Sequence, residues 1–160
     1  MNTNNFEIYL ELRKKIREYQ AKVGFQCLRC DYGCCERNIE RIPILKEDIV
    51  LLKREDIDLT GTRSFSSDEY CLRRDQSMDH CYYFNQETQA CTIHNCKPLY
   101  CLSYPFNFKI KEVQFFGKVR NEYNEMLFPN PYCTWIKEKG EPTNLENPIG
   151  KEIRELIDRL

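Results

Sequence analysis

Glycine, histidine and long apolar runs are all scarce in this chain. Its six glycines form no phosphate-cradling loop: G-x-x-x-x-G-K-[ST] and G-x-G-x-x-G are both missing, as are H-E-x-x-H and G-x-S-x-G. ATP, dinucleotide and hydrolase readings therefore have no motif behind them. No window approaches the ~18–20 apolar residues that span a bilayer, so no membrane association is expected. The amino terminus (Met1, Asn2, Thr3, Asn4, Asn5) has no basic segment followed by an apolar one, which leads us to expect a soluble protein that stays in the cytoplasm. An excess of positive charge is missing too. With 24 Lys+Arg against 25 Asp+Glu the net charge is −1, and no nucleic acid partner is expected.

Cysteine is abundant, at ten in 160 residues. A chain of this length suits one domain with a modest core, able to bury roughly 68–70% of its unfolded surface. In the cytoplasm thiols stay reduced, and clustered cysteines there are more often metal ligands or reactive groups than disulfides. A secreted disulfide scaffold is the disfavoured alternative.

The hydrophobic pattern predicts an amphipathic helix over 5–22, with Phe6, Tyr9, Leu10, Ile16, Tyr19 and Val23 on one stripe, broadened by Ile8 and Leu12, and Gly24 as its stop. A cysteine-rich loop follows, in which Asp31 and Gly33 suit tight turns. Ile39 to Ile44 reads as extended and Lys46 to Arg54 as a short helix burying Ile49 and Leu52. The stretch from Asp56 to Asp79 reads as a polar, irregular surface excursion. Two hairpins are expected. One joins Cys81–Phe84 to Ala90–His94, and the other joins the alternating Phe106, Phe108 and Ile110 to Val113, Phe115, Gly117 and Val119 through a turn at Lys111 and Glu112. A final helix over 148–160 starts at Pro148 behind an Asn147 cap, with a stripe of Ile149, Ile153, Leu156, Ile157 and Leu160. The expected architecture is a single small α+β domain over 1–160, with short β-hairpins and peripheral helices around a cysteine-rich metal centre.

The cysteines fall in two groups: Cys27, Cys30, Cys34 and Cys35 as C-x2-C-x3-C-C, and Cys81, Cys91, Cys96, Cys101 and Cys133, with Cys71 alone between them. A C-x2-C turn brings two thiolates within reach of one metal. Structural zinc takes sulfur at ~2.3 Å with ligands two to four residues apart, and iron–sulfur clusters are held by thiolates in the same way. Spacing does not separate zinc from iron. Adjacent side chains diverge, so Cys34 and Cys35 face different metal ions, or one is a ligand and its neighbour a supporting or redox thiol. Cys71 reads as a small buried hydrophobe. His80 and His94 each lie near a late cysteine and are carried as possible ligands. Arg73 and Arg74 read as a solvated doublet, and the aromatics as packing around the core and the metal site.

In pattern and order these residues resemble the cysteine-cluster family called CxxCxxCC or YkgJ-like, described as chelating zinc or iron or as containing an iron–sulfur cluster. The resemblance spans roughly residues 25 to 135. It rests on the amino-terminal cysteines, then Ile42, Pro43, Ile44 and Glu47, then Cys81, Tyr83, Cys91, Ile93, Lys97, Pro98, Cys101, Tyr104 and Pro105, and on Cys133 as the late cysteine. His94 stands where the family has an aromatic, Leu102 where it often has arginine, and Cys96 is extra. The resemblance implies metal binding and no single reaction. Longer relatives look like protein-modifying enzymes such as flagellin lysine methylases, but this chain has no obvious cofactor domain for that chemistry. The expected metal ligands are Cys27, Cys30, Cys34, Cys35, Cys81, Cys91, Cys101 and Cys133, for iron as an iron–sulfur cluster, or zinc. Two alternatives accompany this reading. One is a redox or protein-modifying enzyme with a reactive cysteine or an open metal position; the other is a metal-stabilised adaptor or metal-delivery protein that docks a protein partner through its terminal helices.

Overall fold

A computed structural model of the chain describes residues 3–25, 42–64, 70–73, 80–104, 106, 114–115, 118–119 and 148–160. It is α+β and groups into two units, Met1–Leu28 with Ser103–Leu160, and Arg29–Leu102.

The first unit rests on two helices, α1 (Thr3–Lys22) and α4 (Pro148–Arg159), packed against each other. Their apolar stripes explain the pairing: Phe6, Ile8, Tyr9, Leu12, Ile16 and Tyr19 are buried on α1, and Ile153, Leu156 and Ile157 on α4. Leu10, expected on the stripe, is instead 41% exposed, while Arg13 is buried. A cation is tolerated there because Arg13 Nη1 donates to the Tyr9 hydroxyl at 3.0 Å and its guanidinium lies 5.5 Å from the Tyr9 ring centroid. Helix α1 stops where expected. Gly24 takes φ +70°, its N–H donates to Ala21 O at 3.1 Å, and the Phe25 N–H reaches back to Gln20 O at 2.8 Å, the paired bonds of a Schellman cap. Beyond the cap, Phe106 is buried and meets both Tyr19 and Phe25 edge-on, at centroid distances of 5.3 and 5.4 Å.

The strands of this unit differ from expectation. Gln114–Phe115 (β6) pairs antiparallel with Lys118–Val119 (β7), so the segment read as one strand after a turn at Lys111 and Glu112 contains a hairpin of its own. The paired residues closest in sequence are Phe115 and Lys118, and residues 116 and 117 lie outside the described residues. Phe108, Ile110, Lys111, Glu112 and Val113 lie outside the described residues, as does the Asn147 cap.

The second unit is built from very short pieces. Pro43–Ile44 (β1), Thr62–Ser64 (β2) and Tyr70–Leu72 (β3) form an antiparallel sheet in the order β1-β3-β2, with Cys71 opposite both Pro43 and Arg63. The predicted irregular excursion thus supplies two strands. Tyr70–Leu72 is not a surface segment but the central strand, with Cys71 and Leu72 buried. Helix α2 spans Lys46–Arg54, as the periodicity predicts, and buries Ile49, Leu51 and Leu52 together with Asp48. A single 3-10 turn, Leu59–Gly61, follows. Strands Phe84–Asn85 (β4) and Ala90–Cys91 (β5) make the expected first hairpin, and Leu99–Ser103 (α3) is a helix of five residues. Arg73 ties sheet to hairpin through its backbone, its N–H donating to Gly61 O at 2.8 Å and its carbonyl accepting from Tyr82 N–H at 3.1 Å.

Candidate metal centre

Five cysteines lie among the described residues, all within the second unit: Cys71, Cys81 and Cys96 are buried and Cys91 and Cys101 half-buried. Backbone bonds fix most of them. The Cys81 carbonyl accepts from Phe84 N–H and from the His80 imidazole, both at 2.9 Å. Cys91 faces Phe84 across the β4–β5 ladder, and the next residue, Thr92, donates both its N–H (2.8 Å) and its hydroxyl (2.9 Å) to Tyr83 O. Cys96 N–H closes a turn onto Ile93 O at 3.0 Å. Cys101 rides on α3, whose first turn is closed by Leu102 N–H donating to Pro98 O at 2.8 Å.

The two histidines separate clearly. His94 is exposed, whereas His80 is buried, with its ring 5.4 Å from and edge-on to Phe84. A carbonyl oxygen only accepts, so His80 Nδ1 is the donor in the bond to Cys81 O.

Tyrosines pack around these backbones. Tyr83 is buried, donates to Asp58 O at 2.7 Å and covers Gly61, where a Cβ would come within 2.5 Å of the ring. Burial first, then the charge of Asp58, pushes the Tyr83 hydroxyl well above the usual phenol range. Tyr100 is pushed the same way by burial and, secondarily, by Asp48. Leu102, where arginine is frequent in the resembled family, is buried.

Asp48 escaped the sequence reading. It is fully buried, accepts from Leu45 N–H through Oδ2 at 2.8 Å and from Leu99 N–H through Oδ1 at 2.8 Å. A Leu-x-x-Asp start to a helix was the available signal, since an acidic residue at the third helical position reaches back to the cap. Its second partner, 51 residues away, leaves no local trace.

Among the described residues no three His, Cys, Asp or Glu side chains come together as a metal-binding group. Cys27, Cys30, Cys34, Cys35 and Cys133 lie outside the described residues. In donor chemistry the expected set fits a thiophilic metal: thiolates suit zinc and iron, and imidazole is compatible with both.

Together these features define a small α+β chelating domain rich in cysteine. The family model CxxCxxCC, described as "Putative zinc- or iron-chelating domain", matches residues 26–134, and the chain belongs to this family. No curated protein and no solved structure matches the chain. No helix among the described residues is long and apolar enough to cross a membrane.

Proposed function

We propose that this protein is a cytoplasmic metal-binding protein whose clustered thiolates hold iron as an iron–sulfur cluster, with zinc as the competing occupant. The observation that carries the reading is the family match over residues 26–134, which takes in all the cysteines of both groups. The proposed ligands are drawn from Cys27, Cys30, Cys34 and Cys35 on one side and Cys81, Cys91, Cys101 and Cys133 on the other. Bound iron–sulfur would supply one-electron redox chemistry, and bound zinc a structural tie or a Lewis acid. The chain's own contribution is to hold Cys81 and Cys91 on hydrogen-bonded backbone, with the buried Tyr83 and His80 beside Cys81. Such packing restricts solvent at a metal site and tunes it. Joining residue 30 to residue 101 through a metal closes a long loop that two- and three-residue strands would otherwise have to secure.

The test is to purify the protein without oxygen, record its visible spectrum and measure iron, zinc and acid-labile sulfide per chain. Brown protein with iron and sulfide supports the cluster. Colourless protein with tightly held zinc selects the structural or Lewis-acid site, and protein with neither metal overturns the reading. Cys27→Ser, Cys30→Ser and Cys101→Ser are expected to lose metal, while Cys71→Ser, in the central strand, keeps it.

A further inference from the structure

Resting on the reading of Cys101 as a metal ligand, we infer that Asp48 is the positioning residue of the metal centre. Its one buried carboxylate clamps the backbone that follows the amino-terminal cysteine cluster to the backbone that carries Cys101.

The chain leaves Cys35, enters β1 at Pro43 and starts α2 at Lys46. Asp48 Oδ2 takes the Leu45 N–H at that junction, and Oδ1 takes the Leu99 N–H at the start of α3, two residues before Cys101. An ordinary capping box has Ser, Thr or Asp at the cap. Here the cap is Leu45, only the return bond from the third helical position is made, and the other oxygen serves a distant element. A charge at zero exposure is costly to desolvate unless it is well hydrogen-bonded. Water could satisfy α2 alone at lower cost. What the buried carboxylate adds is a fixed relation between two helix starts, one following the amino-terminal cysteines and one two residues before Cys101. An amide cannot replace it, since Asn offers one accepting oxygen and would turn an NH2 toward the second N–H.

Cobalt(II), a spectroscopic stand-in for zinc, is the probe. Full-length wild type, D48N, C101S and D48N/C101S are titrated with cobalt(II), and the thiolate-to-cobalt charge-transfer band is followed. The zinc-loaded forms are alkylated with iodoacetamide and mapped by mass spectrometry. D48N is expected to bind cobalt at least tenfold more weakly, with the charge-transfer intensity of C101S, and the double variant to bind no worse than C101S. In zinc-loaded D48N, Cys101 becomes alkylated while Cys27 and Cys30 stay protected. Wild-type affinity and intensity in D48N overturn the proposal, and so do additive losses in the double variant. Alkylation of every cysteine at once assigns Asp48 to general stability and overturns it as well. Wild type that binds neither cobalt nor zinc and holds no iron when purified without oxygen overturns the functional reading beneath it, an outcome that the wild-type measurements alone distinguish.

Discussion

The helical unit and the unit of short elements reach order by different physics. In the first, α1 runs 20 residues and α4 runs 12, long enough for an apolar stripe to recur several times, and the stripes bury each other. In the second, apart from α2, the elements run from two to five residues, too short for a recurring stripe, and the buried Ile44, Leu72, Tyr83, Ile93, Leu99 and Leu102 come singly or in pairs from separate pieces. Order there depends on single long-range bonds: Asp48 to Leu99, Tyr83 to Asp58, Arg73 to Gly61 and Tyr82. Recurring stripes align long helices; where elements are this short, single cross-links fix how the buried residues meet, and a bound metal would be the strongest such link.

Metal removal should break this contrast open most visibly. Treating the holoprotein with chelator is expected to strip hydrogen-exchange protection from the Leu72, Tyr82 and Thr92 amides while α1 and α4 stay protected; structural zinc contributes on the order of 10 kcal/mol to small folds. Simultaneous loss of all these amides would show that the two units do not differ in this way. Next in size, Phe106→Ala empties the aromatic cluster with Tyr19 and Phe25 and should cost about 3–5 kcal/mol in chemical denaturation, with metal content per chain unchanged. Gly61→Ala forces a methyl into the Tyr83 ring and should cost about 1–3 kcal/mol, read as lost protection at Arg73 rather than in α1.

A smaller effect lies at high pH. Tyr19, Tyr83 and Tyr100 are all held above the usual phenol value, by burial first. The unfolded chain releases these protons near pH ~10 while the folded chain keeps them. Their stabilisation is therefore complete below pH ~10 and is lost as pH rises toward the folded values. Absorbance at 295 nm should show these phenolates appearing together with unfolding. The smallest effect concerns the exposed Lys15–Glu152 pair between α1 and α4, at 2.5 Å. Lys15→Ala should leave Tm unchanged at physiological salt, because exposed ion pairs are screened and entropically costly.

What could be read locally was read well. The Gly24 stop, the span of α2, the Pro148 start of α4 and the Phe84–Cys91 hairpin all follow from periodicity, a positive-φ glycine or a short connection. The failures share one cause. Strand β3 is three residues long, too short for alternation to register, and its partner β1 lies far back in the chain. Leu10 reads as a stripe residue and Arg13 does not, because hydropathy carries no trace of the tyrosine ring and hydroxyl that receive the guanidinium.

The cysteine spacing, the charge balance and the two helical stripes are properties of the chain alone. Cysteine order along the chain is enough to assign the chelating family, and periodicity between residues a few positions apart is enough to set each terminal helix, while their pairing was left to the tertiary structure. Tertiary structure decided that Cys71 sits in a central strand, that His80 rather than His94 is enclosed, and that Asp48 joins α2 to α3. Each of these is a contact between residues distant in sequence or an environment assembled from several elements, and such a juxtaposition exists only once the intervening loops have closed.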